Sequence, residues 1–361
     1  MITLGIETSC DETALCLLET RNSNPNDVLF TEYRILGNIV NSQINLHREF
    51  GGVFPMLAKR EHIKNLPILY TKLLENSSIS ENNIDQIAVT NGPGLEPALW
   101  TGIVFAKELS QRLGIKILPV NHMEGHIVST LIDEVEISKD FRELRKIQLP
   151  AIALLISGGH TEIVKVNNLG KYEILGNTVD DAVGEAFDKV ARMLNLPYPG
   201  GPEISKYAEK ARNENLENKI KLPRPMIHSK DLKLSFSGLK TAVLYTLKSF
   251  IDGGGIINEN LIKEISREFE NSVTEVLVSK VTRAINENET NTLIIGGGVI
   301  ANKYMRKAFQ DLSENKSIPL LLPPHSLTGD NANMIALVGV LNTKNSLEGH
   351  VEARGNLSLN D

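Results

Sequence analysis

The chain is poor in cysteine and has no long apolar run, and each shortage excludes a class of protein. Its 361 residues include two cysteines, Cys10 and Cys16. These are too few for a disulfide framework, and they favour a reducing compartment. No run approaches the roughly eighteen apolar residues of a membrane-spanning helix. The first predicted strand begins at Ile2 and leaves no room for a signal or transit peptide, so we expect a cytoplasmic protein.

Basic charge is not in excess either. The net charge is −6 and the isoelectric point is near 5.8, so any contact with nucleic acid must be local. One segment, residues 219–240, concentrates basic charge against a single acid, Asp231. A solvated loop and a contact with an RNA backbone are both open interpretations of this tract. Its basic residues are Lys219, Lys221, Arg224, Lys230, Lys233 and Lys240.

Two hairpins of similar design occur along the chain. The apolar runs Ile2–Glu7 and Ala14–Leu18 flank a polar turn, and Ala151–Ile156 and Thr161–Val166 flank the turn SGGH. The repeat predicts two related halves, joined at the charged stretch Asp133–Pro150.

The length of the chain also favours two domains, because 361 residues exceed one ordinary core. We expect a first lobe at residues 1–133, a linker at 134–149, a second lobe at 150–344 and a tail at 345–361. Strands and helices alternate in both halves, which predicts α/β layers. After the first hairpin the predicted elements are strand Val28–Ile35, helix Val53–Glu75, strand Ile84–Thr90, helix Pro97–Leu113 and strand Ile115–Val120. After the second they are helices Asp181–Leu194 and Leu261–Ile285 and strands Thr292–Ile295 and Ile318–Leu322.

A pair of histidines, His122 and His126, is the strongest single signal for chemistry. Four residues are about one helical turn, so both imidazoles lie on one face, where they can hold zinc or ferrous iron. In a zinc protease a glutamate directly follows the first histidine. Here Glu124 is two positions on and points away from the pair. Two surface histidines on an amphipathic helix are the alternative.

Glycine-rich turns follow two predicted strands. Glycines in the turn Ser157–His160 let backbone N–H groups approach a phosphate or an adenylate, although a plain tight turn has the same composition. Gly296-Gly297-Gly298 lies between a buried strand and a helix, where a ring or phosphate can lie against the backbone. Asn302, predicted one turn into that helix, either reaches a ligand there or faces solvent. Neither turn has the spacing of a dinucleotide fingerprint or a Walker loop.

Four acidic residues are candidates for binding or catalysis. Asp188 either accepts a ribose hydroxyl or is a surface acid paired with a lysine. Asp330 starts the last predicted helix, where it either caps the helix or completes the histidine pair as a metal ligand. Asp11 and Glu12, in the first hairpin turn, are either bases that face a cleft or ordinary turn residues.

A series of ordered blocks closely resembles one known family, that of the tRNA threonylcarbamoyladenosine transferases (TsaD), formerly named O-sialoglycoprotein endopeptidases. The resemblance runs from about residue 2 to about residue 341. Its blocks are Gly5–Thr13, Asn91–Leu95, His122–His126, Ser157–Thr161, Asp180–Lys189, Tyr198–Pro202, Phe236–Thr241, Gly296–Val299 and Gly329–Asn331.

The resemblance implies the actin/sugar-kinase/heat-shock ATPase (ASKHA) fold, two related α/β lobes around a nucleotide cleft. It implies transfer of threonylcarbamoyl from threonylcarbamoyl-AMP to the exocyclic amine of the adenosine 3′ to the anticodon, in tRNAs reading codons that start with A. The implied ligands of one Fe²⁺ or Zn²⁺ per subunit are His122, His126 and Asp330. The residues implied to contact the adenylate are Leu155, Ile156, Ser157, Gly158 and Gly159 through their backbone, with Asp188, Gly201 and Asn302 around its nucleoside.

The chemistry of this reaction is consistent with such a site. The amine of adenine is a poor nucleophile, so the acyl group arrives activated as a mixed anhydride with AMP as leaving group. A metal can hold the threonyl group and polarise the carbonyl, while backbone amides of the glycine turn stabilise the departing phosphate. Our hypothesis is that Asp11 or Glu12 accepts the amine proton or orders water.

Two positions differ from the pattern of the family, and they bear on which branch of the family the chain resembles. Thr328-Gly329 stands where many bacterial members have Cys-Thr, and Leu155 stands where archaeal-type members have Tyr. Together with the histidine run, Leu155 favours the bacterial or organellar branch. The implied partners are tRNA and either a smaller TsaB-type paralogue with a TsaE-type ATPase, or a second copy of the chain as in mitochondrial members. Bacterial cytoplasm is favoured over the mitochondrial matrix.

Three other interpretations compete with the transferase. A small-molecule kinase of the same fold explains the glycine turns but leaves the histidine pair and Asp330 without a role. A metalloprotease conflicts with the position of Glu124. A scaffold that only binds partners would not need the metal motif.

Overall fold

The computed structural model describes residues 1–21, 32–133, 137, 140–342 and 351–361. Parts of three predicted segments lie outside the described residues: the start of the strand Val28–Ile35, part of the linker, and the start of the tail. None of the helices in these ranges has both the length and the apolar content needed to cross a membrane.

The described chain alternates between strands and helices, as the sequence predicts. The strands are β1 (Ile2–Glu7), β2 (Glu12–Arg21), β3 (Glu32–Ser42), β4 (Gln86–Gly92), β5 (Lys116–Asn121), β6 (Arg142–Glu143), β7 (Ala151–Ile156), β8 (Thr161–Asn168), β9 (Lys171–Asn177), β10 (Thr292–Gly296) and β11 (Leu320–Leu321). The helices are α1 (Ile44–His47), α2 (Pro55–Ser77), α3 (Glu96–Leu113), α4 (His122–Val128), α5 (Val183–Met193), α6 (Gly200–Asn213), α7 (Ser237–Asp252), α8 (Glu259–Glu287), α9 (Lys303–Lys316) and α10 (Ala332–Leu341).

Five strands of each sheet share one topology, and the first sheet has β6 as an additional edge strand. The first has the order β5-β4-β1-β2-β3-β6 and the second has the order β11-β10-β7-β8-β9. In each, an opening hairpin is antiparallel, a third strand continues it antiparallel, and two later strands join the other edge in parallel. The duplication predicted from the two hairpins is therefore confirmed, and β1 and β7 have the predicted bounds.

Five elements were not predicted: α1, β6, β9, α6 and α7. The start of α6 lies within the segment Pro197–Pro202, which is rich in proline and glycine and follows the predicted helix Asp181–Leu194. Pro199 is extended and directly precedes Gly200, the first helical residue. Pro202 lies in the first turn, where its missing N–H would have no partner within the helix. A proline-rich motif can thus both end one helix and begin the next.

The core has three parts. One packs the second sheet against α5 to α9, one packs the first sheet against α2 and α3, and one lies between the two sheets and includes α4 and α10. Although α10 falls within the proposed second lobe by sequence, it packs on β1, β2 and β4. Gly5 permits this approach, since a Cβ there would lie 2.3 Å from the carbonyl oxygen of Ala332. The packing brings the residues just before α10 close to α4.

Candidate metal centre and cleft

The histidine pair lies on a short helix that begins directly after a strand. Asn121 ends β5, and its side chain caps α4 by accepting from the backbone N–H groups of Met123 and Glu124 at 2.9 and 3.3 Å. His122 and His126 are then one turn apart and both are buried. Their ring centroids are 4.7 Å apart and the ring planes are nearly perpendicular. The predicted shared face is confirmed, and it faces the interior.

Asp330 reaches the two histidines from the loop before α10. Of the two roles predicted for it, helix cap or metal ligand, the first is wrong: Asn331 is the cap, with its Oδ1 accepting from the N–H of Met334 at 3.1 Å. Asp330 is therefore free to face α4. Its Oδ1 lies 3.3 Å from Nε2 of His122 and 3.4 Å from Nε2 of His126.

A buried glutamate that the sequence analysis did not single out lies behind His122. Oε2 of Glu7 is 3.0 Å from Nδ1 of His122, and Glu7 also accepts from the N–H of Ser9 at 2.5 Å and the hydroxyl of Thr90 at 2.6 Å. A carboxylate on one ring nitrogen fixes the imidazole so that the other nitrogen can bind a metal. The sequence contains one indication of this role: Glu7 is an acid at the end of a predicted strand, next to a polar turn.

The cluster of His122, His126 and Asp330 attracts positive charge. Burial would lower the pKa of His122, but the carboxylates of Asp330 and Glu7 raise it well above its ordinary value. Burial would raise the pKa of Asp330, but the two histidines, His122 above all, hold it below its ordinary range. Burial lowers the pKa of His126. The buried carboxylate of Glu7 and the half-buried carboxylate of Asp330 thus favour a cation at the point where the three side chains meet.

The donor set fits a divalent transition metal. One ligand atom from each of the three residues lies within 4.8 Å of the others. Two donors about 2.1 Å from a tetrahedral metal are roughly 3.4 Å apart, close to the separations of Asp330 from the histidines. Nδ1 of His126 is buried and makes no hydrogen bond to any described residue, and its Nε2 meets Asp330 only at 3.4 Å, without hydrogen-bond geometry. A buried imidazole without a hydrogen bond is costly, and a metal would offset that cost.

Glu124 plays no part in this cluster. It accepts hydrogen bonds from the hydroxyl of Tyr172 at 2.8 Å and from Nδ2 of Asn342 at 3.0 Å. The orientation predicted from helical spacing is confirmed, and it counts against the protease interpretation.

A cleft of about 880 Å³ extends from Asp330 between the two lobes. Seven predicted site residues line it, and they come from both halves of the chain. They are Asp11, Glu12, Gly158, Asp188, Gly201, Asn302 and Asp330. Leu155 and Ile156 end β7 with buried side chains, so they can contribute to a cleft only through their backbone.

The turn after β7 presents its backbone to solvent. The N–H of Ser157 donates to the carbonyl of His160, and the N–H of His160 donates to the hydroxyl of Ser157. No described residue accepts from the N–H groups of Gly158 and Gly159, and a Cβ at either glycine would meet nothing within 4 Å. The N-terminus of α5 lies against this turn, since a Cβ at Gly184 would be 2.6 Å from the oxygen of Ser157. The turn is suited to bind an anion through the backbone.

Asp188 does not pair with a lysine. Its Oδ1 accepts from the N–H of Gly200 at 2.7 Å, at the start of α6. The neighbouring Lys189 pairs instead with Asp181 and Glu185. Burial raises the pKa of Asp188, and the backbone donors at the start of α6 oppose this shift. Gly201 follows directly and leaves open space in the cleft.

Asn302 is not one turn into a helix, as predicted, but caps α9. Its Oδ1 accepts from the N–H of Met305 at 2.9 Å, while its Nδ2 donates to Ser205 at 2.7 Å and to Glu270 at 2.5 Å. The Gly-rich turn continues as a short 3₁₀ helix, Gly298–Ala301, which delays the start of α9. Asn302 is buried and lines the cleft, so it does not face solvent either.

Glu270 is a second buried acid that the sequence analysis missed. It also pairs with Arg212, whose guanidinium lies 3.6 Å from the ring centroid of Tyr304. All of these residues line the far wall of the cleft. The sequence contains one indication of this residue: it is an acid among the apolar residues of the predicted helix Leu261–Ile285.

The two acids of the first hairpin differ in their contacts. Oδ2 of Asp11 is buried and has no hydrogen-bond partner among the described residues. Glu12 accepts from the hydroxyl of Ser42 at 3.1 Å. Burial, together with Asp11 and Asp330, raises the pKa of Glu12 to about 9. Both acids lie in the cleft, so the proposed proton acceptor stays a prediction confined to these two.

Comparisons with known proteins agree with this geometry. A family model described as TsaD: tRNA N6-adenosine threonylcarbamoyltransferase matches residues 34–337. A tRNA N6-adenosine threonylcarbamoyltransferase of Thermosipho africanus (strain TCF52B) is 46% identical over 340 residues, which cover 94% of this chain and 93% of the relative. The enzyme of the same name from Francisella philomiragia subsp. philomiragia is 42% identical, over 99% of this chain and 100% of the relative.

Solved structures support the fold alone. HypF from T. kodakarensis superposes with a TM-score of 0.57 at 13% identity, covering 95% of this chain and 48% of that chain. A full-length HypF in a phosphate- and nucleotide-bound form has a TM-score of 0.55 at 13% identity, covering 97% and 47%. The ASKHA fold predicted from the resemblance is confirmed.

Proposed function

We propose a mechanism from one established premise: the chain belongs to the TsaD family of tRNA N6-adenosine threonylcarbamoyltransferases, and it is a transferase that modifies adenosine in tRNA. In the proposed reaction the donor is threonylcarbamoyl-AMP and the acceptor is the adenosine 3′ to the anticodon in tRNAs reading codons that start with A. The amine nitrogen forms a bond to the carbamoyl carbon, the bond from that carbon to the phosphate oxygen breaks, AMP leaves, and the amine loses one proton.

Different residues of the cleft bind the phosphate, bind the nucleoside and accept the proton. The free N–H groups of Gly158 and Gly159 hold the phosphate and stabilise its charge as AMP departs. Asp188, Gly201 and Asn302 bind the nucleoside. Since Nδ2 of Asn302 is already engaged by Ser205 and Glu270, this residue contacts the nucleoside as an acceptor.

The metal and the proton acceptor lie on the opposite wall. His122, His126 and Asp330 would hold one Fe²⁺ or Zn²⁺, which supplies Lewis-acid polarisation of the carbonyl and an anchor for the threonyl group. Of the two acids in the hairpin, Asp11 has the unpartnered buried oxygen, so we assign proton acceptance to it. Glu12, with a pKa near 9, is placed to donate a hydrogen bond.

One observation carries the proposal: the three ligand atoms meet at the end of a cleft whose other wall is an open glycine turn. The test combines metal analysis of the purified protein with nucleoside analysis of tRNA after incubation with threonylcarbamoyl-AMP, for wild type and His126→Ala. Threonylcarbamoyladenosine formed by wild type and lost together with the metal in the variant is the expected result. A wild type that forms no product, alone or with a bacterial-type partner, would contradict it.

We further propose that a smaller TsaB-type paralogue and a TsaE-type ATPase assist this chain in a bacterial cytoplasm. The support is an apolar surface on α2 and α3, where Ile63, Trp100 and Val104 are exposed. These two helices pack side by side, and we propose that the related subunit covers these three side chains. Size-exclusion chromatography distinguishes this from a homodimer, which would elute at about twice the mass of 39.8 kDa without any partner.

A further inference from the structure

The C-terminal segment, residues 351–361, docks on the first lobe beside the metal centre. Two of its apolar side chains are buried: Val351 packs with the core of the first lobe, and Leu359 packs between the sheets. The N–H of Arg354 donates to the carbonyl of Asn91 at 2.8 Å. Gly92 permits this close approach, because a Cβ there would lie 2.1 Å from the oxygen of Arg354.

One contact links this segment directly to α4. Nδ2 of Asn121 donates to the carbonyl of Ser358 at 3.0 Å. The Oδ1 of the same amide caps α4 at Met123 and Glu124. The hydrogen bond to Ser358 therefore fixes the orientation of the amide that starts the histidine helix. A helix of seven residues depends on such contacts, because its own backbone bonds are too few to hold it.

A second path runs through the loop after β4. The N–H of Gly94 donates to the carbonyl of Gly355 at 3.1 Å, and the N–H of Leu95 donates to the carbonyl of Ser9 at 2.8 Å. Ser9 in turn donates its N–H to Glu7, and its Oγ lies 3.3 Å from Nδ1 of His122. The segment thus supports both the helix that carries His122 and the groups behind its ring.

We infer that residues 351–361 are a positioning element of the metal centre, which they orient through Asn121 and through the loop that holds Ser9. This inference rests on the proposed metal role of His122, His126 and Asp330. The segment contributes no ligand. It fixes where the first histidine stands relative to Asp330, which lies on the loop before α10.

Asn121→Ser in the full-length protein tests the first path. Serine caps a helix as asparagine does, but its side chain is too short to reach Ser358. Metal affinity is measured by competition with a chromophoric chelator, with Zn²⁺ and Co²⁺ as probes, and the ligand field is followed in the Co²⁺ absorption spectrum. We expect affinity to fall about tenfold, as for other groups that orient a ligand, with an altered Co²⁺ spectrum. The matched control is Ser358→Ala, which keeps the carbonyl acceptor and should equal wild type.

A chain ending at Gly355 provides the second arm of a double-mutant cycle. It keeps the contacts with Asn91 and Gly94 and loses the contact with Asn121. Asn121→Ser should then weaken Co²⁺ binding in the full-length chain but have no further effect in the shortened one. Thermal unfolding of each variant separates this effect from loss of the fold, since Asn121→Ser retains Leu359 and its packing.

Three results would overturn the inference. Asn121→Ser and the shortened chain could both bind Co²⁺ with wild-type affinity and spectrum. The losses of metal affinity caused by Asn121→Ser and by the shortened chain could add in full, which would show that Asn121 and the segment act separately. A wild-type protein that binds neither Zn²⁺ nor Co²⁺ would overturn the metal assignment itself, whereas a metal-binding wild type with unaffected variants would leave that assignment standing.

Discussion

The two hairpin turns of this protein have the same backbone topology but offer a ligand different groups. The turn between β1 and β2 presents side chains, and Glu7, Ser9 and Asp11 are buried there. The turn between β7 and β8 presents backbone, with Gly158 and Gly159 exposed and with open space where a Cβ would stand. The duplicated unit therefore offers buried carboxylates in one half, which suit a cation, and open backbone N–H groups in the other, which suit an anion.

The same contrast predicts how each turn responds to substitution. A residue such as Glu7 has three hydrogen-bond partners, so its replacement disturbs several groups. Gly158 has space around it, so its replacement should affect what binds and leave the fold unchanged. In the second turn a substitution should therefore change ligand binding without changing stability, whereas in the first turn it should change both.

The largest effect should come from removing Asp330, the proposed metal ligand on the loop before α10. Asp330→Ala removes the one carboxylate that faces both histidines, and we expect metal affinity and threonylcarbamoyl transfer each to fall by more than about 100-fold. Metal analysis and tRNA nucleoside analysis measure the two losses. The matched control is Glu124→Gln, on the histidine helix but facing away, which should keep both. Full transfer by metal-free Asp330→Ala would exclude the metal from the reaction.

Glu7→Gln should have the next largest effect. The amide keeps the shape of the side chain but removes the charge that holds Nδ1–H of His122, so metal affinity should fall about 10- to 100-fold. Chelator competition measures it. Thr90→Val, which removes a different partner of Glu7, is the control and should cost much less affinity. Equal losses in the two variants would mean that burial of Glu7, and not its contact with His122, is what matters.

Local patterns explain which parts of this site could be predicted from sequence. The two hairpins were predicted from short apolar runs on either side of a polar turn, and the histidine pair from a spacing of one helical turn. Both patterns are visible within a few residues. Glu7 could not be identified, because its partners His122 and Thr90 lie 115 and 83 residues away. Glu270 was missed for the same reason, since Asn302 is 32 residues away on another helix.

The predicted starts of helices were wrong or undecided where more than one residue could act as the cap. Asn302 and Asn331 each cap a helix, whereas the sequence placed Asn302 inside its helix and left open whether Asp330 caps the last helix or binds a metal. Asparagine and aspartate are equally good caps, so composition alone does not choose between neighbouring positions. The packing of α10 on the first sheet settles it and leaves Asp330 facing the histidines.

A pair of glycine variants sharpens the contrast between exposed and packed backbone. Gly158→Ala adds a methyl group in open space, so thermal stability should not change, while the KM for threonylcarbamoyl-AMP should rise about tenfold. Gly297→Ala should instead lower stability by about 1–3 kcal/mol, because its φ is +97° and a Cβ would lie 2.3 Å from the oxygen of Ile156. Calorimetry and steady-state kinetics on both variants test this. Donor binding by Gly158→Ala at the wild-type level would place the phosphate elsewhere.

The smallest effect is expected at the basic tract, residues 219–240. Arg224 is paired with Glu268 and Glu275, and Lys240 lies 3.1 Å from Asp181, so these two cations are already neutralised. Lys230 and Lys233 are exposed, and they are the better candidates for a contact with tRNA.

Charge removal at these two lysines measures how much the tract contributes to tRNA binding. If each contacts a phosphate, Lys230→Gln/Lys233→Gln should weaken binding and lower the slope of log K against log salt by about two, since each contact releases roughly one counterion. Lys240→Gln should change the slope less, because its charge is shared with Asp181. Lys171→Gln, an exposed lysine outside the tract, is the control for a general charge effect. An unchanged slope in the double variant would assign the tract to solvent and leave tRNA recognition to other surfaces of the two lobes.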